Sequence, residues 1–528
     1  MKKLLVIFAV ISLALSLSFV GCKAGAATTT AAATETTEAA TTTAAATTTA
    51  AATETTEAAT TTAAAEAKPF GLDNIPEIKN KSALNLIVET GAVFDKIIPY
   101  IQKFTDKTGV KVNVERVASP VVYSKENVEL VAGTGVYDLA YVETSWTNEW
   151  SQYLYDLREL AAKYDSVDAF NADIKNHSPV ILTCGQANGK QMVLPFYTYH
   201  MGMFIRQDVF DDPTEQANFK AKYGYDLKPA TNFQQLRDQG EFFTRKKGDK
   251  LKGQTLDHDL YGLAMQAGAY QDNDEFTCYL WGQGYDYVKV NRDASGNVTN
   301  YTIPKDYKDA MVKTMENYIA LTKFASPGCL TANFDFVVTE QGEGRAIIQN
   351  TMFSNCFAWT ASILKDKVVP KDPNAKLGIY PTLGNKPYTG AWSFGVTKAS
   401  KNPEASYWLV RYLSSYECQE AVMKEGGQLT TRMDVLSNPE WKTAENMYPY
   451  GILVDYLLSN WTDQSYVNFI KNAWYFNSTA AGKVYEMQMN VLAKPIHNEM
   501  SPQAGIDELC KQTVELTSKF DKIPIKEE

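Results

Sequence analysis

The chain has 528 residues, 45% of them hydrophobic, with 51 Lys and Arg against 61 Asp and Glu and a formal net charge of −10. The acidic balance argues against a nucleic-acid partner and against phosphate-rich ligands. From about residue 80 some 450 residues of ordinary apolar content remain, more than one core holds, so two lobes or more are expected.

The first 67 residues differ in kind from the rest. Met1-Lys2-Lys3 is a short positive start, residues 4–19 are an almost unbroken apolar run, and Phe19-Val20-Gly21-Cys22 follows. A charged start, an apolar run and a small residue before the cut form a secretory signal. With Cys at the cut, the segment resembles a bacterial lipoprotein signal, although Phe19 stands where Leu is usual. The resemblance implies removal of 1–21, a lipidated Cys22 as the new N-terminus, and export with anchoring to the cell membrane. Two acyl chains suffice for stable anchoring, whereas one holds only marginally. An uncleaved membrane helix, or a signal cut elsewhere, is the other reading of the same residues.

Residues 28–46, TTTAAATETTEAATTTAAA, recur unchanged as 47–65. Such a segment holds no core-forming residue and cannot offset its ordering entropy by burial. Its Thr triplets oppose the helix that Ala favours. Residues 22–67 are therefore expected to be a disordered spacer, solvated by Glu35, Glu38, Glu54 and Glu57. No later apolar run approaches the length needed to span a bilayer.

Leu84–Glu89 reads as a strand. Residues 94–108 carry Ile97, Ile98, Ile101 and Phe104 at helical spacing, with Gly109 at the C-cap position. Residues 110–117 alternate as a strand does, 123–132 form a second helix stopped by Gly133, and 137–142 form a third strand. This β-α-β-α-β opening predicts a parallel sheet covered by helices, with ligands beyond the C-terminal strand ends. Those ends are Glu89-Thr90-Gly91 and Glu143-Thr144-Ser145-Trp146. Residues 193–200 lead into another short apolar strand at 201–205, and further strands are expected at 261–266, 345–348, 376–380 and 391–397. A helix capped by Thr231 or Asn232 runs through Phe243, and 287–303 forms a hairpin. Helices follow at 404–414 and 415–424, and the remainder to Glu528 is mainly helical.

Catalytic signatures are missing. His177, His200, His258 and His497 are scattered without metal-ligand spacing. There is no G-x-S-x-G elbow. In the phosphate-loop-like run 248–255, Gln254 replaces the required Lys. Beside Cys22 there are six Cys (Cys184, Cys278, Cys329, Cys356, Cys418 and Cys510), none in C-x-x-C spacing. Export permits disulfides, and buried free thiols are the competing reading.

Several segments, in order, carry a resemblance. They are Val193-Leu-Pro-Phe-Tyr-Thr-Tyr with Met203-Phe-Ile-Arg-Gln-Asp-Val-Phe210, then Tyr261-Gly-Leu-Ala-Met-Gln, then Glu343-Gly-Arg-Ala-Ile-Ile. Gly390-Ala-Trp-Ser-Phe-Gly-Val-Thr-Lys-Ala-Ser-Lys-Asn-Pro-Glu-Ala-Ser is the most specific, and Gly426-Gly-Gln-Leu-Thr-Thr-Arg432 follows it. Across about 83–436 their order resembles the extracellular solute-binding proteins of ABC importers, family 1, the group that includes maltose-binding protein. The resemblance implies an α/β, two-lobed periplasmic-binding-protein type II-like fold, with the ligand cleft between the lobes and a hinge of about three crossovers, near 194–198, 385–391 and 427–431. One lobe would hold 80–194 and 391–427, the other 199–385 and 431–528. It also implies a monomeric receptor that is not an enzyme, needs no cofactor or metal, binds no nucleic acid and delivers a small carbohydrate to permease transmembrane subunits.

Sugars present apolar ring faces to aromatic side chains and hydroxyls to carboxylates, amides and Arg. Strand ends and crossovers supply Glu89, Thr90, Glu143, Ser145, Trp146 and Trp392 from the first lobe, and Tyr197 and Tyr199 from the first crossover. The second lobe supplies Tyr270, Trp281, Phe353 and Arg432. Tyr270 and Phe353 follow segments that resemble those bearing ligand-stacking aromatics in the family. Trp408, inside a helical run, is expected in the core, and Trp441, Trp461 and Trp474 are left as candidates to extend the groove. Two alternatives stay open: the same fold binding a peptide, polyamine or other polar solute, and a surface glycoside hydrolase or adhesin. An acidic cluster at the cleft would favour a cationic ligand.

Overall fold

A computed structural model describes residues 69–90, 92–268, 271–425 and 429–528. The signal, Cys22, the Ala/Thr spacer and Tyr270 lie outside the described residues.

The opening follows the sequence pattern. β1 (Leu84–Glu89) leads to α1 (Ala92–Thr108), β2 (Val112–Val117), α2 (Ser119–Ala132) and β3 (Leu139–Glu143). Gly109 and Gly133 both take positive φ, 71° and 61°, where the two helices stop. A left-handed residue ends a helix at least cost when it is Gly. β1 pairs in parallel with both β2 and β3. The first sheet is completed by β4 (Val193–Thr198), which follows the short helix α3 (Pro179–Cys184), and by a strand from much later in the chain.

The second sheet begins three residues after β4, with β5 (Met201–Arg206). Next come β6 (Tyr261–Ala264), α4 (Asp272–Gly282), β7 (Ala346–Phe353), α5 (Phe357–Lys367) and β8 (Leu377–Tyr380), in the sheet order β6-β7-β5-β8. Asn232 caps the helix Phe233–Phe243, accepting from the Gln235 N–H. The hairpin Lys289–Arg292 with Val298–Ile303 is extended by Ile525–Glu527, which pairs in parallel with its second strand.

The chain then returns to the first sheet as β9 (Ala391–Val396), lying between β3 and β4 and antiparallel to both. The three opening strands are parallel as expected, and β9 departs from them for a physical reason. β9 arrives from the second lobe, so it enters at the cleft end and runs away from it. Its first residues therefore sit beside the last residues of β3 and β4. The helices α6 (Pro403–Leu413) and α7 (Tyr416–Lys424) then pack over the first sheet, with Trp408 buried as expected.

The first crossing between sheets is Tyr199–His200, and Gly390 is where the second crossing passes it. The Thr198 hydroxyl donates to the Gly390 carbonyl at 2.9 Å, and a Cβ on Gly390 would stand 2.0 Å from the Tyr199 hydroxyl. A third strand of chain passes alongside, where the Thr198 N–H donates to the Leu429 carbonyl at 3.2 Å. The C-terminal region is helical: α8 (Ile452–Trp461), α9 (Gln464–Asn472), α10 (Ala481–Val491) and α11 (Pro502–Phe520). α8 lies on β8, α9 on α3, and α10 touches both the turn after β3 and α4. Among the described residues, no helix is long and apolar enough to cross a membrane.

Candidate functional site

Three strand ends of the first sheet form one row. Trp392, second residue of β9, is in register with Glu143 on one side and Tyr197 on the other. Glu89 ends β1 nearby, and its Oε1 accepts from the Tyr197 hydroxyl at 2.8 Å and the Tyr141 hydroxyl at 3.2 Å. The half-buried Trp392 ring lies on Tyr141, with centroids 4.3 Å apart and planes 8° apart, and Trp146 meets it edge-on at 5.3 Å. Behind Trp146 stand Trp150 and Tyr123, stacked at 5.6 Å. This is a rigid apolar platform with one ring partly open to solvent.

Glu143 is the buried polar centre. Its carboxylate accepts from the Ser145 N–H at 2.7 Å, from the Ser145 hydroxyl and from the Tyr199 hydroxyl. Burial raises its pKa, opposed by the hydrogen bonds from Ser145 and Tyr199. The second lobe faces it with Tyr199 edge-on to the half-buried Phe353 at 5.9 Å, and with Tyr388 6.2 Å from Tyr199. Tyr388 is paralleled by Tyr485 of α10 at 6.4 Å, and the Tyr485 hydroxyl donates to Asp274 of α4 at 2.9 Å. Burial lifts Asp274 to about 8, and its neighbour Glu275 to about 7. Glu486 is solvent-exposed, yet its pKa is raised by the surrounding protein and then by the Glu143 carboxylate.

The structure gathers most of the predicted residues but changes several roles. Glu89, Glu143, Trp392, Tyr197, Tyr199 and Phe353 converge on the interlobe face. Ser145 is buried with its hydroxyl and N–H both on Glu143, so it orients that carboxylate. Trp146 is buried as a buttress of Trp392. Thr90 is exposed past the end of β1, its N–H held by the Val117 carbonyl at 2.7 Å.

Two further candidates have interior partners. Trp281 is fully buried, donates to Asp286 at 2.9 Å and is packed among Tyr388, Phe469, Tyr475 and Phe476, so it backs Tyr388 from the core. Arg432 is also fully buried. Its guanidinium is taken by Asp434 at 2.7 Å, Asp173 at 2.9 Å and the Ser414 carbonyl at 3.2 Å, and its backbone bridges His177. It stands against first-lobe elements with no donor directed at the cleft. Trp441, Trp461 and Trp474 are likewise interior. Sequence reasoning passed over Tyr141, Tyr388, Asp274, Tyr485 and Glu486. Tyr141 belonged to a recognised strand, but that its ring would back Trp392 needed the β9 register. All six described cysteines are free and buried. Among the described residues, no cluster of His, Cys, Asp or Glu could hold a metal ion.

The profile of the bacterial extracellular solute-binding proteins matches residues 87–420. The chain belongs to that family. A probable amino-acid ABC transporter periplasmic-binding protein of Sinorhizobium fredii is 23% identical over 371 residues, covering 70% of this chain and 76% of the relative. A probable ABC transporter-binding protein of Deinococcus radiodurans is 24% identical, covering 62% of this chain and 71% of the relative. Among solved structures, a maltose-bound MalE3 of T. maritima superposes with a TM-score of 0.60 at 18% identity, covering 83% of this chain and all of that one. A ribitol-bound ABC transporter solute-binding protein of Agrobacterium radiobacter also gives 0.60, at 17% identity and 85% and 100% coverage. These likenesses give the two-lobed fold.

Proposed function

We propose that this solute-binding protein captures a carbohydrate, preferably an oligosaccharide, by closure of its lobes and delivers it to the transmembrane subunits of an ABC importer. The observation that carries this reading is the half-buried Trp392 ring, stacked on Tyr141 and in register with Glu143 on one side and Tyr197 on the other, with the Glu89 carboxylate held by Tyr141 and Tyr197. A pyranose offers an apolar face to such a ring and hydroxyls to such carboxylates. Tyr199 and Phe353 supply the opposing aromatic surface. The solved relatives named with maltose and ribitol support a sugar or polyol.

A second reading has its own support. Glu143, Asp274 and Glu486 bring three carboxyl groups to one region, and one relative is named for amino-acid transport, so an amine-bearing solute fits the same cleft. Calorimetry against mono- and oligosaccharides, polyols, amino acids and polyamines separates the two. Binding confined to amines sinks the carbohydrate reading, and release of product from a glycan would turn the binder into an enzyme.

The N-terminal sequence completes the proposal. Lipidated Cys22 and the spacer 22–67 would leash the receptor to the membrane, which raises its effective concentration at the permease and leaves the lobes free to close. Labelled-acyl incorporation that is lost in Cys22→Ala supports the anchor. Equal incorporation in that variant refutes it.

A further inference from the structure

α10 lies beyond the segment that matches the family, and it touches both lobes. On one side it is seated in the second lobe against α4 and α11, with α11 packed on the helix Lys305–Thr322. Tyr485 fastens it there through Asp274 at 2.9 Å. On the other side it meets the turn that carries Glu143, Trp146 and Glu149 of the first lobe. Gly482 makes this approach possible: a Cβ there would stand 2.9 Å from Glu149 Oε2 and 3.0 Å from Trp146 Cδ1.

One turn of α10 also places a charge across the seam. The Lys483 ammonium donates to Glu149 Oε1 at 2.5 Å and to the Tyr123 hydroxyl at 2.8 Å. Tyr123 in turn donates to both Glu149 oxygens, at 2.9 and 3.0 Å. Glu149 is buried, and the Lys483 side chain is about one-fifth exposed (21%). Tyr123 stacks on Trp150 and leans on Trp146, the residue that buttresses Trp392. Opening the cleft by moving the lobes apart must separate this triad, because its members belong to different lobes. A charge pair largely shielded from water resists the loss of one partner, since the other is then left uncompensated until solvent reaches it.

We propose that Lys483, Glu149 and Tyr123 form an interlobe latch, which sets how long the closed cleft holds its ligand. The proposal rests on the reading of the cleft as the solute site. A latch present only in the closed arrangement biases the open–closed equilibrium by its own differential stability and slows release rather than capture.

The test uses the full chain, with Lys483→Met, Glu149→Gln and the exchange pair Lys483→Glu/Glu149→Lys. Stopped-flow Trp fluorescence reads association and dissociation of whichever compound binds wild type, from a panel of maltose, maltotriose, ribitol, mannitol, putrescine and the common amino acids. Each single variant is expected to release ligand roughly tenfold faster, the pattern of a lost buried charge pair, and to bind at least as fast as wild type, because its empty cleft is open more of the time. The exchange pair is expected to recover part of that loss. Small-angle scattering of the ligand-free chain should show a larger radius of gyration for Lys483→Met than for wild type. Unchanged release and unchanged radius in both single variants overturn the latch. Should wild type bind none of the panel, the solute reading fails by that result, and the ligand-free radius alone decides the latch.

Discussion

Trp392 lies flat on Tyr141, their ring centroids 4.3 Å apart. The two rings come from antiparallel neighbours, β9 and β3, in which Phe394, not Trp392, is the direct partner of Tyr141. The contact is therefore the diagonal one, two residues off register, within reach of large aromatic side chains. Tyr141 is buried and gives Trp392 a fixed orientation, while Trp392 itself stays half-buried.

Trp392→Ala is accordingly expected to weaken binding of the solute at least 100-fold. Its cost to stability is the loss of a half-buried ring's area together with its stacking on Tyr141, the stacking alone about 0.5–1.5 kcal/mol. Titration calorimetry and a urea melt on the same sample measure both. Retained affinity would remove Trp392 from the site.

Arg432 predicts the reverse pattern. With its guanidinium shared by Asp173 and Asp434, Arg432→Leu leaves two half-buried carboxylates short of a partner and an interior site without its charge. Breaking such a pair costs about 3–5 kcal/mol. Urea denaturation should show a loss of that order, whereas the affinity of the molecules that remain folded should match wild type. A selective loss of affinity with normal stability would restore Arg432 as a ligand contact.

The difference between these two residues shows what the sequence could reveal. Glu89, Glu143 and Trp392 were legible because strand periodicity and Gly punctuation locate strand ends, and in α/β sheets the ends face the cleft. Arg432 and Trp281 were not, because their partners decide their role. Asp173 lies 259 residues from Arg432, and nothing local announces the pair. Trp281 sits on a helix with apolar neighbours, a pattern shared by core and groove. Lys483 and Glu149, 334 residues apart, join only when both lobes are folded and docked. The strand direction of β9 was also hidden, since it follows from the path of the chain between lobes rather than from the strand's own residues.

The cysteines yield a third expectation. Burial raises Cys278 and Cys184 well above the ordinary thiol range and Cys510 to about 12. The thiolate is the reactive form. A soluble form lacking Cys22 should show almost no reaction with Ellman's reagent at pH 8 while folded, and six reactive thiols in 6 M guanidinium. Its melting temperature should be the same with and without dithiothreitol. A reductant-dependent drop in that temperature would reveal a disulfide.

The acidic groups of α4 make stability depend on pH in an unusual direction. Burial is the main cause that raises Asp274 to about 8, partly offset by the Tyr485 hydroxyl and reinforced by Glu143 and Glu275. Burial likewise raises Glu275 to about 7, against hydrogen bonds from Tyr318, the Gln266 N–H and Thr351. Unfolded carboxyls titrate near about 4. Between about 4 and the raised values the folded chain holds more protons than the unfolded one, so stability falls as pH rises through that window. The contribution is whole below about pH 4, and it is gone above about 7 for Glu275 and about 8 for Asp274. Asp274→Asn keeps an acceptor for Tyr485 and removes the titration. The variant should therefore gain on wild type steadily from pH 5 to pH 8, by up to about 1.4 kcal/mol per pH unit, in urea melts at fixed ionic strength. A constant difference across that range would mean that Asp274 is ionised throughout, with a counter-charge near it that the folded chain alone does not supply.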